Sequence, residues 1–458
     1  MGSIRRDVAT AAAVAASLAV LAIAGPAAMV QDSWLTLVGG RLVAHAGIPH
    51  RELLTVWAHG RTWVDQQWLA QLIFYKTDSL GGVRAVLALS ALLSGIAWTA
   101  AIVLARMRGA SGLALLVWAP LTIVAAPWAW QARAQTFALP LFVALLALVF
   151  SDSRAPSRRV ILSLPLLALW GNLHGTAILG AGILVLHALV TARRSVVRSM
   201  ALAGGGVLAL AANPYGFGIA SYYRTMTLNP PFASLVAEWK PSTPSLAVVP
   251  FYAIALVSAI AVYRRRKALT TSEIVIALAL LAVAADAMRS IAWFVLAALI
   301  LVPPLVHVRR MPGMRFAAPA RAGVLVGAVV VLIASVAAFP GAVSARQSSA
   351  WPAQGAKALR IAAERNPHAR VLADDRHSDF VLWAAPGLSG RVINDVRFEL
   401  LDRAELDRLV RFERDRGPQD PGGAEIVVVD PKRQATAPWL AHGWRSVYDG
   451  ASMAVLER

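Results

Sequence analysis

The stretch from Gln31 to Tyr75 reads QDSWLTLVGGRLVAHAGIPHRELLTVWAHGRTWVDQQWLAQLIFY. It lies between two long apolar segments, and it is too polar to cross a bilayer itself. It nevertheless carries four tryptophans and a series of apolar residues at helical spacing. We therefore predict a folded, amphipathic loop that lies on a membrane surface, with Asp32 at its entrance.

The composition of the whole chain indicates a multi-pass membrane protein. Of its 458 residues, 58% are hydrophobic and the mean hydropathy is +0.60, whereas soluble domains are about half apolar. Apolar segments of about 18 or more residues recur, and each is long enough to span a bilayer. The absence of cysteine excludes disulfides, thiolate catalysis and cysteine-ligated zinc.

The net charge of +19 is carried mainly by arginine. Basic charge is typical of nucleic-acid binding, but here much of it lies in short loops between apolar segments, where it sets membrane topology. We therefore predict no nucleic-acid partner. The preference for arginine over lysine and the lack of cysteine indicate a bacterial chain, which we place in the cytoplasmic (inner) membrane.

The apolar segments and the basic loops together predict about 11 transmembrane helices. Basic clusters occupy alternate loops, so the N-terminus lies inside and the C-terminus outside. Two polar interruptions, at residues 131–135 and 171–175, are interpreted as helix breaks at the outer face. The predicted spans are approximately 8–30, 82–105, 113–130, 134–151, 160–172, 175–192, 199–213, 245–263, 272–287, 290–308 and 322–342, and the basic clusters include residues 5–6, 106–108, 154–159, 193–198, 264–267 and 309–321.

The chain changes character after about residue 344. We assign residues 1–344 to a polytopic membrane domain, whose amphipathic first outer loop covers residues 31–81. Residues 345–458 contain short apolar runs at 370–373, 391–393 and 425–429 and a helical pattern at 401–416. This alternation predicts a small α/β domain outside the membrane.

The predicted topology collects polar residues on the outer side, and apart from the basic loops the inner side has little. Ionisable residues at membrane depth are costly, so they are usually paired or functional. Asp32 is the candidate general base, because a carboxylate there meets both headgroups and water. The alternative is that Asp32 only caps a helix starting near Ser33.

Other outer-side residues are candidates for binding a substrate. Arginine forks match phosphate oxygens, so outward cations predict a bound phosphate; the alternatives are lipid headgroups or ion pairs such as Asp286 with Arg289. Polar groups in the run 170–175 could instead complete a local turn. The candidates are Arg133, Asn172, His174, Tyr215, Arg224, Lys240 and Arg289.

Metal binding is the weaker expectation. The loop histidines His45, His50 and His59 lack the spacing of a zinc site. A divalent cation, Mg²⁺ or Mn²⁺, on Asp32 and Glu52 is an alternative without clustered oxygen ligands. The run 374–379 follows a predicted strand, so we interpret it as a capping turn, with a cation site as the alternative.

The pattern of motifs resembles the GT-C superfamily of membrane glycosyltransferases, which includes the protein mannosyltransferases and aminoarabinose transferases. The spans, the acid in the first outer loop and the outer domain carry this resemblance loosely. The close matches are to bacterial members and consist of Asp32, Trp34, Gly40, Gly47-Ile-Pro49, Trp63, Trp68-Leu69, Trp170-Gly-Asn-Leu-His-Gly175, Asn213-Pro-Tyr-Gly216, Glu238-Trp239 and Asp395-Val-Arg397.

The resemblance implies a polyprenyl-phosphate-linked sugar as donor, an inverting transfer, and Asp32 as base or metal-contacting acid. The acceptor, a glycan, lipid or protein, is not specified. Many relatives carry an acidic pair in the first loop, whereas Ser33 follows Asp32 here, and Gln67 stands where an acid is expected. These departures keep two alternatives open: a non-catalytic membrane assembly subunit, and a transporter or flippase of a lipid-linked saccharide. A transporter is disfavoured because we find neither an internal repeat nor symmetric charge.

Overall fold

The structure is a computed structural model that describes residues 8–228, 236–246, 248–306, 318–414 and 423–458. The chain divides into two compact units. Unit 1 comprises residues 1–28, 87–216 and 236–340, and unit 2 comprises 29–86, 217–235 and 341–458. The predicted basic residues 5–6 and 309–315 lie outside the described residues.

Helices dominate the described part of the chain. In chain order they are α1 (Val8–Ala24), α2 (Gln31–Ala46), α3 (Trp68–Met107), α4 (Gly112–Val124), α5 (Gln135–Arg154), α6 (Ser163–Leu173), α7 (Ala177–Thr191), α8 (Val196–Ala209), α9 (Ile219–Leu228), α10 (Val249–Arg265), α11 (Thr271–Asp286), α12 (Ile291–Leu301), α13 (Ala318–Ala350), α14 (Ala353–Arg365), α15 (Ser378–Ala384), α16 (Arg403–Arg414) and α17 (Ala437–Ala441).

Each predicted span overlaps one of these helices, and both predicted helix breaks are present, after α4 and after α6. Among the described residues, four helices are long and apolar enough to cross a membrane by length and composition. They are Val8–Ala27, Trp68–Met107, Gln135–Arg154 and Leu325–Ala350. Shorter apolar helices occupy several other predicted spans, so the number of crossings stays a prediction.

Helix α3 is interrupted where the first outer loop is predicted to give way to a span. Gly82 has φ of +64° and Gly81 also leaves the helical region. Only glycine adopts a positive φ without a steric cost, so the Gly81-Gly82 pair sets this break.

Unit 1 is centred on α12, whose residues are all buried. Aromatic rings pack around it: the Trp293 centroid lies 5.1 Å from that of Phe142 and 5.9 Å from that of Trp170. This packing explains why α12 is apolar on every side, as expected of a helix surrounded by protein.

A buried ionic network in unit 1 brings together charged residues that the sequence analysis did not single out as partners. Glu273 at the start of α11 is fully buried, and it pairs with Arg108 at 2.7 Å and with Arg154 at 3.0 Å. Asp152 in α5 accepts hydrogen bonds from His187 and Arg198. Scattered charges in separate helices and loops become partners only after folding, so apolar patterning could not reveal them.

We expect Glu273→Ala to lower the unfolding temperature of the detergent-solubilised protein by about 10 °C. The substitution leaves two arginines without their buried carboxylate, and it removes the acceptor for the Thr270 N–H at the start of α11. Glu364→Ala, which alters an exposed residue of α14, is the matched control and should shift the midpoint little. Equal midpoints for the two variants would contradict a structural role for the network.

Unit 2 contains the small α/β domain predicted near the C-terminus. Its strands are β1 (Val371–Ala373), β2 (Ile426–Val429), β3 (Arg445–Asp449) and β4 (Ala454–Glu457), in the order β1-β2-β4-β3. The β1–β2 pair is parallel and the other two pairs are antiparallel. The predicted strand at 391–393 forms only isolated bridges, because Val392 pairs singly with Thr55 and Val371.

The first outer loop folds together with this domain inside unit 2. The Val56 N–H donates to the Val392 carbonyl at 2.8 Å, and the Trp57 N–H donates to the Ile393 carbonyl at 3.1 Å. Arg61 forms a two-pronged ion pair with Glu405, at 2.7 and 2.8 Å. The predicted boundary at residue 344 is a division by sequence, whereas contacts place residues 29–86 in the same unit as 341–458.

Candidate functional site

Asp32 is in the first turn of α2, the helix that opens the first outer loop. The Ser33 hydroxyl accepts a hydrogen bond from the Val30 N–H at 3.0 Å, and this bond stabilises the N-terminal turn of the helix. Asp32 is half-buried. A carboxylate at a helix N-terminus is stabilised by the helix dipole.

Helix α15 of the C-terminal domain packs on α2. Trp34 contacts Phe380 with ring centroids 5.1 Å apart, and further along α2 the Arg41 guanidinium donates to the Leu382 carbonyl at 2.7 Å. The charge of Asp32 acts on Asp379 across this contact, so the two first-turn carboxyls are neighbours.

Arg397 is the central cation of this part of unit 2. Its buried guanidinium donates to Glu52 at 2.6 Å and to Asp395 through Nε at 2.9 Å, and it stacks on the Trp63 ring at 4.2 Å. The Glu52 carboxylate also accepts the Leu54 N–H at 2.6 Å. Arg397 thus joins the first outer loop to the C-terminal domain through a buried ion network.

Acids surround this arginine in excess. Burial raises the pKa values of Asp65 and Glu399 to about 7 each, although the positive charge of Arg397 acts in the opposite direction. Burial also raises the pKa of Asp379 well above its usual range, and the nearby charges of Asp395 and Asp32 raise it further. Carboxyls that titrate near neutrality can exchange protons at working pH.

We expect stability to fall as the pH rises from 5 to 8. Since the folded-state pKa values of Asp65 and Glu399 lie above their unfolded values, the folded state binds more protons in this range, and raising the pH destabilises it. Asp65→Asn should flatten this dependence and raise the unfolding temperature more at pH 8 than at pH 5. Asp449→Asn, at an exposed position, is the control. If the dependence of stability on pH is the same in Asp65→Asn and the wild type, Asp65 is ionised in the folded protein over the whole range from pH 5 to 8.

In unit 1, Arg133 is committed to an ion pair. Its guanidinium makes two bonds to the Glu238 carboxylate, at 2.5 and 2.8 Å. Arg289 stacks over the Trp239 ring at 4.4 Å, and its charge acts on Glu238. The adjacent residues Glu238 and Trp239 therefore contact two of the predicted phosphate-binding cations, Arg133 and Arg289.

His174 lies within reach of the same charges. Its Nδ1 accepts the Thr176 N–H at 3.2 Å. Burial, together with the positive charges of Arg289 and Arg133, lowers the pKa of His174 to about 3. The imidazole is therefore neutral at physiological pH, with its proton on Nε2.

The remaining candidates have different surroundings. The Asn172 amide donates to the carbonyls of Ala168 at 2.8 Å and Ala212 at 2.7 Å, so it joins the end of α6 to the segment after α8. The Tyr215 N–H donates to Asn213 Oδ1 at 2.8 Å, in a turn that ends at Gly216 with φ of +53°. Two predicted cations are exposed, Lys240 in unit 1 and Arg224 in unit 2.

Sequence reasoning missed several acids of the unit 2 cluster. Asp65 and Glu399 lie in no motif that would mark them as site residues. Asp395-Val-Arg397 entered only as one of the motifs that carry the resemblance. Asp374 caps the turn as predicted, since it accepts the His377 N–H at 2.9 Å. The same interpretation left Asp379 unnoticed, which is buried in that run together with Asp374, His377 and Ser378.

The described residues do not support a metal centre. No group of three or more histidine, aspartate or glutamate side chains among them is arranged to hold a metal ion. We therefore derive no step through a divalent cation, and dependence on Mg²⁺ or Mn²⁺ stays a prediction.

No family model and no curated protein matches the sequence, but solved structures share its fold. The aminoarabinose transferase ArnT from Cupriavidus metallidurans, bound to undecaprenyl phosphate, aligns with 97% of this chain and 97% of its own, at 16% identity and a TM-score of 0.51. The archaeal oligosaccharyltransferase AglB from Archaeoglobus fulgidus, in complex with an inhibitory peptide and a dolichol-phosphate, aligns over 91% of this chain and 69% of its own, at 12% identity and a TM-score of 0.52.

Both of these structures are GT-C glycosyltransferases. At these identities the likeness concerns the fold, and the chain has the fold of GT-C membrane proteins. The resemblance predicted from the sequence is confirmed at that level.

Proposed function

We propose that the protein is an integral-membrane glycosyltransferase that moves a sugar from a polyprenyl-phosphate donor to an acceptor outside the cytoplasmic membrane. The observation that carries the proposal is the fold, shared nearly end to end with ArnT bound to undecaprenyl phosphate. AglB, of the same superfamily, is bound to a dolichol-phosphate. A lipid phosphate is therefore the chemistry expected of the donor.

The proposed step is a single displacement with inversion. Asp32 takes the proton from an acceptor hydroxyl, whose oxygen then bonds to the anomeric carbon of the sugar. The bond from that carbon to the phosphate oxygen breaks, and its electron pair stays on the phosphate. The half-buried position of Asp32 in a helix first turn supports this role, because the carboxylate is both anchored and accessible.

The developing negative charge on the phosphate requires cations or hydrogen-bond donors. We assign this role to Arg224, which lies in the same unit as Asp32, and Arg289 and Lys240 stay candidates from the sequence alone. Arg133 holds Glu238 and so positions the segment that carries Trp239 under Arg289. Neutral His174 donates from Nε2, and the turn residues Asn172 and Tyr215 shape the surrounding loops.

The test uses purified protein in lipid with radiolabelled polyprenyl-phosphate sugars and a membrane extract as acceptor pool. We expect release of polyprenyl phosphate together with transfer of label to an acceptor. Repeating the reaction with chelator and with added Mg²⁺ or Mn²⁺ decides the cation dependence. Movement of the intact donor across the bilayer without cleavage would show a flippase. If the protein neither cleaves nor moves any of the donors, the assembly subunit is the favoured alternative.

A further inference from the structure

Asp379 is a fully buried acid whose partners are not accounted for. Its exposed fraction is 0%, and neither carboxylate oxygen meets hydrogen-bond geometry with any group of the described residues, although the Val396 N–H is near enough to favour the charged form. Leaving a buried polar group unpaired costs about 1–3 kcal/mol, and more for a charged group. Such a group in a folded protein requires an explanation, and a ligand is one.

Two further groups in the same part of unit 2 share this property. Asn394 is also 0% exposed, and both its Oδ1 and its Nδ2 lack partners among the described residues. It directly precedes Asp395, which pairs with Arg397. One guanidinium nitrogen of Arg397, Nη1, is buried without a partner as well. Donors and acceptors are thus unsatisfied together.

The position of Asp379 relates it to the proposed base. Helix α15 packs on α2, and the Asp379 carboxyl is near enough to Asp32 for the charge of Asp32 to act on it. Burial and the adjacent acids raise the pKa of Asp379 well above its usual range, which favours the protonated carboxyl. It can then both donate and accept hydrogen bonds.

We propose that Asp379 and Asn394 bind a hydroxyl-rich, saccharide-type ligand beside Asp32, with Asp379 holding one of its hydroxyl groups. The inference deepens the proposed function, on which it rests for naming this ligand the acceptor. An anionic ligand would be repelled by Asp32, Asp395 and Glu399. An ammonium group would satisfy only the acceptors, whereas a hydroxyl both donates and accepts, and so matches Asn394, Asp379 and Arg397 together.

The binding test uses the full chain in detergent with methyl α-D-glucopyranoside, methyl α-D-mannopyranoside and methyl α-D-galactopyranoside as probes. Saturable binding is followed by tryptophan fluorescence, because Trp34 packs on Phe380, the residue after Asp379. We expect Asp379→Leu to weaken binding of the preferred glycoside by about 10- to 100-fold. Asp379→Asn should retain most of it, since the amide also donates and accepts. Asp407→Leu, at an exposed position of α16, is the control.

A stability measurement separates binding from structure. Because Asp379 lacks internal partners, Asp379→Leu should leave the unfolding temperature unchanged or raise it in the absence of glycoside. A marked fall would show a structural carboxyl and overturn the inference, as would equal glycoside binding by the wild type and Asp379→Leu, or no saturable binding by the wild type. Sugars also stabilise proteins through exclusion from their surfaces, but that effect does not saturate and is common to all variants.

The polyprenyl phosphate release assay distinguishes this inference from the proposed function. Donor cleavage by the wild type with full acceptor transfer by Asp379→Leu would leave the function and overturn the inference. Asp379-dependent glycoside binding by a protein that cleaves no donor would overturn the function and keep the binding site.

Discussion

Replacing Asp32 by asparagine is expected to lower the rate of polyprenyl phosphate release by about 10²–10⁴-fold. Asparagine keeps the size and polarity of the side chain in the first turn of α2, but it cannot take a proton from an acceptor hydroxyl. Ser33 still accepts the Val30 N–H, so the helix should begin at the same residue. The loss is therefore chemical, and the unfolding temperature should change little.

The measurement is single-turnover release from a radiolabelled donor, with Asp407→Asn as the control for loss of one exposed carboxylate on α16. Retention of wild-type release by Asp32→Asn would remove Asp32 from the mechanism. Combined with donor cleavage by the wild type, that result would direct attention to the other acids around Arg397. If neither the wild type nor Asp32→Asn cleaves the donor, a non-catalytic subunit is favoured instead.

Arg397→Met should destabilise unit 2 by about 3–5 kcal/mol, which corresponds to a fall of about 10 °C in its unfolding temperature. Methionine fills much of the same volume over Trp63, but it leaves the buried carboxylates of Glu52 and Asp395 unpaired. The cost is the penalty of stranding buried charge rather than the net value of the ion pairs.

A compensated variant tests this cause. Adding Glu52→Gln and Asp395→Asn to Arg397→Met removes the stranded charges, so part of the lost stability should return. Arg445→Met is the control, because Arg445 pairs with Glu457 while most of its side chain is exposed, and such pairs contribute about 0–1 kcal/mol. If the compensated variant is no more stable than Arg397→Met, packing over Trp63 rather than charge explains the effect.

The positions of the helices could be predicted because apolar runs are local. The polar interruptions at 131–135 and 171–175 likewise correctly predicted breaks between helices. Asp32 could be chosen because its place at the end of an apolar run is visible in the sequence, although its role stays a proposal. The predicted strand at 391–393 forms only isolated bridges, because a short apolar run does not determine how many of its residues pair with another strand.

The membrane class, the series of apolar helices and the small α/β domain could be predicted from the sequence, because these depend on composition and short-range periodicity. The partners of the charged groups, in contrast, are set by the tertiary fold. Arg133 finds Glu238 across 105 residues and Arg397 finds Glu52 across 345. The neighbour of Asp32 is Asp379, from the C-terminal domain. No periodic pattern links such residues, because their proximity follows from how helices and loops pack rather than from spacing along the chain.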